Sequence, residues 1–147
     1  ALLKAGVPLS LGTDGQTLSS VLEEAKRLEM NERLRTEKRT ALVFNEGEDA
    51  AEPCLTAATV GGAQALGLDA GRLSPGLWGD LMSVDLDDPH LAGLDDSSLL
   101  AGIIFSADSR AIKDVMVGGK WIVRDGTHVL QTETSRAFSR VVDKIYS

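Results

Sequence analysis

Cysteine is almost missing from this sequence. Cys54 is the only one in 147 residues, so no intramolecular disulfide can form and a reducing compartment is the simpler setting. Its expected place is a core, as a small hydrophobe. Basic charge is also short: fifteen Lys plus Arg face twenty-two Asp plus Glu, for a net charge of -7 and a pI near 4.8. That balance argues against a polyanion-binding surface, and nucleic acid is not an expected partner. Long apolar runs are absent, none approaching the ~20 residues of a membrane span. Ala1-Leu2-Leu3-Lys4 lacks the charge-then-apolar order of a signal peptide. The expectation is a cytoplasmic protein with no membrane partner. There are only two histidines, and no His-x-His, Cys-x-x-Cys, His-Glu-x-x-His, phosphate loop or Gly-x-Ser-x-Gly elbow. A complete three-ligand zinc site cannot be assembled from recognisable parts of this chain.

What is present belongs to an ordinary globular chain: 43% hydrophobic, 25% charged and 4% aromatic residues. The length suits one domain of roughly 100–150 residues and is far short of the ~250 that a closed (β/α)8 barrel needs. The first methionine is Met30, inside a periodic helical stretch, and the sequence reads as an excerpt of a longer chain.

Along the chain, Gly6–Gly15 reads as a short apolar strand ending in a polar, glycine-flanked turn, the kind of strand normally buried in a sheet. Ser20 with Glu23 forms a capping box for a helix that carries Leu18, Val21, Leu22, Ala25 and Leu28 on one face and is expected to run past Arg39. Glu23 with Arg27 and Glu29 with Arg33 stand in the acid-first i,i+4 order, and the charge run reads as a solvated face. A second helix is expected through Leu55–Leu66 with a stop at Gly67. Gly61 and Gly62 inside it point to something packed closely against that face. Leu81–Leu86 alternates as a strand, and Ser97–Ile104 is a short helical candidate. Asp114–Val117, Gly118-Gly119 and Lys120–Val123 make a hairpin signal, Asp125-Gly126 is a further turn, and Thr132 onward is an amphipathic helix with Ala137, Phe138, Val141, Val142 and Ile145 on one face.

Asp14 is the residue to examine for chemistry. A carboxylate in a Gly-Thr-Asp-Gly turn at the carboxyl end of a buried strand sits where α/β folds place catalytic groups, although aspartate also favours turns for its own backbone bonding. His90, after Pro89 in an acidic loop, and His128, after a hairpin turn, read as surface residues.

The order of four blocks resembles the carboxyl-terminal third of a metal-dependent amidohydrolase. Val7–Gly15 is similar to the eighth barrel strand with its metal aspartate, and Ala57–Gly67 to the late helix. Gly71–Leu81 is similar to the return into a small β domain beside the barrel, and Val115–Gly126 to the hairpin completing that domain. Leu22–Arg35 and Asp114–His128 further resemble the formimidoylglutamate deiminase branch. The resemblance implies an α/β fold: the last strand and helix of a TIM-like (β/α)8 barrel plus the carboxyl-terminal part of a small β-sandwich domain. The expected divisions are 1–70 for the barrel end, 71–130 for the β domain and 131–147 for a terminal helix. It implies one divalent metal ion, zinc foremost, with Asp14 as metal ligand and as general base, and hydrolysis of N-formimidoyl-L-glutamate to N-formyl-L-glutamate and ammonia in histidine degradation. The histidine ligands, the general acid and the substrate-binding groups would lie on earlier strands outside this sequence, so these residues alone are expected to be inactive. The full-length enzyme is expected to be a homodimer. A deaminase of guanine or a related heterocycle, and a non-catalytic interaction module derived from the family, remain open alternatives.

Overall fold

The computed structural model describes residues 2–15, 18–45 and 47–147. Helix α1 spans Val21–Thr36 and starts as its sequence dictates, with the Ser20 hydroxyl accepting the Glu23 amide at 3.3 Å. It stops earlier than expected. Glu37 adopts a left-handed φ of 54° and its amide bonds back to the Arg33 carbonyl, so the continuation past Arg39 does not form. The cause lies on α1 itself. The Glu29 carboxylate accepts the amides of Ala41 and Leu42 at 2.9 and 2.8 Å, which requires the chain to turn back along the helix.

The second expected helix is two. Helix α2 covers Ala51–Ala58 and helix α3 covers Val60–Leu66, with Thr59 between them at φ -121°, ψ -86°. The Thr59 hydroxyl donates to the Leu55 carbonyl at 2.7 Å, a local bond that competes with the helical ladder. Gly67, left-handed, closes α3 as anticipated. The tight contact expected at the glycine pair exists at Gly61. A Cβ there would stand 1.8 Å from the Leu9 carbonyl oxygen, whereas one at Gly62 meets nothing within 4 Å.

Strand β1 (Leu81–Val84) leads through a loop to α4 (Asp96–Phe105), capped by the Asp95 carboxylate on the Ser98 amide at 2.9 Å. Strands β2 (Ile112–Val117), β3 (Lys120–Arg124) and β4 (Thr127–His128) follow. The sheet is an antiparallel meander in the order β1-β2-β3-β4, with Leu81 opposite Met116, Val115 opposite Val123 and Val123 opposite His128. Gly118 and Gly119 have φ of 55° and 76°, the positive pair that a primed two-residue turn needs. Asp80 accepts the Gly118 amide and the Gly79 carbonyl accepts that of Gly119, which ties the hairpin tip to the loop before β1. Helix α5 spans Gln131–Tyr146 and buries no residue.

Among the described residues, two buried clusters form the core. Ala25, Leu42, Ala50, Ala51, Cys54 and Ile104 form the larger one between α1, α2 and α4, with Leu11 and Leu22 packed on it. Leu91, Ala107 and Ala111 form the smaller, against Val84 and Ile103. Adjacent residues of α4, Ile103 and Ile104, therefore serve both. The Val7–Leu11 segment joins no sheet among the described residues. The strand anticipated there lacks neighbours to pair with. The folded chain exposes 10417 Å², against roughly 7,300 Å² for a compact monomer of 15.6 kDa. Much surface is thus left uncovered. No described helix is long and apolar enough to cross a membrane.

Candidate functional site at the Asp14 turn

Three residues fix the approach to Asp14. Pro8 restricts the backbone before Leu9, the Leu9 carbonyl rests on Gly61, and Leu11 seats its side chain in the larger core. The chain then emerges into an exposed turn where Asp14 has a φ of 40°. Aspartate tolerates this left-handed backbone better than most side chains. Among the described residues no hydrogen bond or ion pair engages the Asp14 carboxylate, so it is presented to solvent at the end of a segment anchored behind it.

Among the described residues nothing completes a metal centre around it. Among the described residues no group of three or more His, Cys, Asp or Glu side chains could hold a metal ion. A single carboxylate does not make a zinc site, which takes three or four protein ligands. This chain alone therefore does not fit the metal, and no catalytic step can be routed through one here. His90 is exposed, as expected of a surface residue, whereas His128 is half-buried in β4, where it pairs with Val123 across the sheet. His90 Nδ1 lies 2.9 Å from Asp88 Oδ1, and the Asp88 carboxyl is held below its usual range by the His90 amide first and the ring second. The Leu130 amide donates to His128 Nδ1 at 3.1 Å.

Sequence reasoning placed Glu29 on a solvated face, and the structure corrects this: Glu29 is 0% exposed. Besides the amides of Ala41 and Leu42, its carboxylate takes the Arg33 guanidinium at 2.7 Å. The Glu29–Arg33 pair had been legible from its spacing. Its burial was not, because the partners that justify it are backbone amides twelve and thirteen residues away. Glu48 grips the same loop from the other side, accepting the amides of Phe44 and Asn45 at 2.9 Å each. Its carboxyl is held below the usual range, by the Asn45 side chain above all. Cys54 is buried as expected. Burial, and then the nearby Glu29 charge, push its thiol up to about 11, so it is no nucleophile at neutral pH.

A cavity of about 390 Å³ opens beside the anchored segment, lined by Leu3, Pro8, Leu9, Phe44 and Val60 among others. Asp14 is not in its wall, and the lining is mainly apolar. It is the flank of the unpaired Val7–Leu11 segment rather than a reaction chamber.

Comparison with known proteins gives the chain's relatives. The Amidohydrolase family profile matches residues 1–122. Formimidoylglutamate deiminase of Pseudomonas aeruginosa is 38% identical over 143 residues, covering 97% of this chain and 32% of that protein. The 5-methylthioadenosine/S-adenosylhomocysteine deaminase of Natronomonas pharaonis is 36% identical over 128 residues, covering 84% of this chain and 27% of its own length. The crystal structure of an adenosine deaminase from Xanthomonas campestris with bound zinc superposes with a TM-score of 0.81 at 26% identity, over 99% of this chain and 33% of that one. The chain thus spans about a third of the length of the relatives it matches, as the carboxyl-terminal portion of their barrel with its antiparallel sheet. With the family profile over residues 1–122 and 38% identity across 97% of its length, the chain belongs to the amidohydrolase family.

Proposed function

We propose that this chain is the carboxyl-terminal part of a deiminase that hydrolyses N-formimidoyl-L-glutamate to N-formyl-L-glutamate and ammonia, a cytoplasmic step of histidine degradation. The observation that carries the reading is the 38% identity to formimidoylglutamate deiminase across 97% of the chain. In the reaction, water oxygen bonds to the formimidoyl carbon, the bond from that carbon to the terminal nitrogen breaks, and the nitrogen leaves as ammonia. Asp14 is assigned two tasks, one ligand position on a divalent metal whose other ligands lie elsewhere in the protein, and acceptance of a proton from the attacking water. Its exposed carboxylate, unengaged among the described residues, is suited to both. Residues 1–70 would close the barrel, 71–130 would form part of the β domain, and 131–147 a terminal helix.

The second reading is a deaminase of a nucleoside or heterocycle, favoured by the 36% identity to the Natronomonas deaminase. Ammonia release by the intact protein that carries this segment separates the two. Turnover of N-formimidoyl-L-glutamate with none of 5-methylthioadenosine or guanine is expected, and the reverse preference would overturn the proposal. Taken alone, these 147 residues are expected to bind no stoichiometric zinc and to release no ammonia.

A further inference from the structure

The chain after α3 doubles back along it. Gly67 ends the helix in a left-handed turn, and the Leu68 amide donates to the Ala63 carbonyl at 2.9 Å. Gly71, at φ 89°, then lies against the opening turn of α3. A Cβ at Gly71 would stand 2.9 Å from the Thr59 carbonyl oxygen, 2.9 Å from Val60 Cα and 3.0 Å from Ala63 Cβ. The first two of these neighbours are backbone and cannot turn aside. The return segment is tied in turn to the approach to the sheet, because the Asp69 carbonyl accepts the Trp78 amide at 2.9 Å.

Leu9 presses α3 from elsewhere round its axis. At about 100° per residue, Val60 and Ala63 centre on a direction roughly 130° from Gly61. A Cβ at Gly61 would stand 1.8 Å from the Leu9 carbonyl oxygen and 3.0 Å from its carbon. The first turn of α3 is thus gripped between two stretches of backbone, Gly71 on one side and Leu9 on the other. Gly62 faces neither and has open space. Leu9 leads into Leu11, seated in the larger core, and then into the Asp14 turn. Close-packed backbone passes a displacement on rather than absorbing it. A shift of α3 therefore moves Leu9, and with it the start of the segment that presents Asp14.

We infer that Gly71 is a positioning residue for Asp14, acting through α3 on the Leu9 backbone. The inference rests on Asp14 taking part in the proposed deiminase reaction, and it adds to that reaction a residue of the segment that leads into the sheet. Its contacts all lie within this chain, so they hold whatever surrounds the rest of the barrel. The size of the effect follows from the geometry. A methyl group at Gly71 would meet backbone at 2.9 Å, and restoring ordinary van der Waals contact moves α3 by about 0.5 Å. With roughly a hundredfold loss of rate for a misplacement of about 1 Å, kcat falls about tenfold. KM holds, because the groups that bind the substrate are expected on earlier strands.

The test uses the intact protein that carries this segment, assayed for ammonia release from N-formimidoyl-L-glutamate. Gly71→Ala should lower kcat about tenfold per folded molecule, with KM within about twofold of the parent. Ala63→Val applies the same push from the helix side and puts no side chain into the left-handed backbone at Gly71. It should act in the same direction even where Gly71→Ala fails to fold. Gly62→Ala should leave kcat at the parent value. Hydrogen exchange read by mass spectrometry should show protection lost in residues 9–15 with the β2–β3 hairpin unchanged, whereas a general loss of stability would open both. Asp14→Asn in the same assay separates two failures. Ammonia release that survives it overturns the assignment of Asp14, on which the inference rests. If Asp14→Asn abolishes release while a folded Gly71→Ala or Ala63→Val keeps the parent kcat, or keeps residues 9–15 protected, the inference is overturned and the assignment stands.

Discussion

Replacing Glu29 tests whether one buried carboxylate ends α1 and fixes the loop behind it. Glu29→Leu keeps the volume and removes three acceptor contacts: Arg33 at 2.7 Å, Ala41 at 2.9 Å and Leu42 at 2.8 Å. The three losses are unequal. The Arg33 side chain is 31% exposed and can rehydrate, so its share is small. Leu42 is buried, and its amide would be left without a partner at about 1.5–3 kcal/mol, the scale for a bond to a charged group. Ala41 is half-buried and costs less. The sum is about 3–5 kcal/mol, the range seen when one member of a buried charged network is removed, and a large share of the ~5–15 kcal/mol that holds a domain. Glu29→Gln keeps one carbonyl oxygen but turns an NH2 toward a backbone N–H, so it should lose less than Glu29→Leu and still be clearly destabilised. Urea unfolding followed by helical circular dichroism gives the free energies. Hydrogen exchange at Ala41 and Leu42 gives the site, with protection lost there before the sheet opens. If Glu29→Leu stays within about 1 kcal/mol of the parent with both amides protected, the carboxylate is not what stops α1.

Gly61→Ala should destabilise by several kcal/mol, about 3 or more, because its Cβ meets the Leu9 carbonyl oxygen at 1.8 Å and backbone must move. Gly62→Ala, with open space around the same helix, should stabilise by about 0.5–1 kcal/mol; equal effects in thermal melts would refute the close approach. Cys54 is neutral in the fold and its thiol is raised to about 11, so the unfolded chain loses that proton first. Stability is full below the unfolded pKa near 9 and declines by about 2–3 kcal/mol as pH rises from there through 11. Urea unfolding across this window should show the slope, and Cys54→Ala should flatten it. Asp14→Asn should leave stability within about 0.5 kcal/mol, since asparagine also accepts a left-handed backbone. In the intact protein the same change should abolish ammonia release and lower metal content, and full activity would remove Asp14 from the site.

Elements whose cause is local were legible in the sequence. The Ser20 cap, the positive-φ pair at Gly118-Gly119 and the stop at Gly67 each depend on residues within a few positions, and each formed where expected. The misreadings share a different origin. The end of α1 is set by a carboxylate that reaches amides a dozen residues on, and helical periodicity does not register such a bond. The split between α2 and α3 follows from a threonine back-bond next to a glycine pressed by a distant carbonyl. The strand expected at Val7–Leu11 has strand composition but no strand beside it, and a ladder cannot form from one partner.

Asp14 shows how far local determinants carry a site. Its approach is held by contacts within this chain, namely the Leu9 carbonyl on Gly61 and the Leu11 side chain in the core of α1, α2 and α4. The aspartate is therefore presented before any neighbouring strand or ligand contributes. Chemistry is distributed differently. A zinc centre needs several donors within about 2 Å of one point, and the described residues offer a single exposed carboxylate there. The uncovered surface has the same division. The flank of Val7–Leu11 is apolar and pairs with no strand among the described residues, so it suits one, whereas α5 satisfies its backbone within its own helical ladder. A change such as Gly61→Ala should then disturb the aspartate without touching α5.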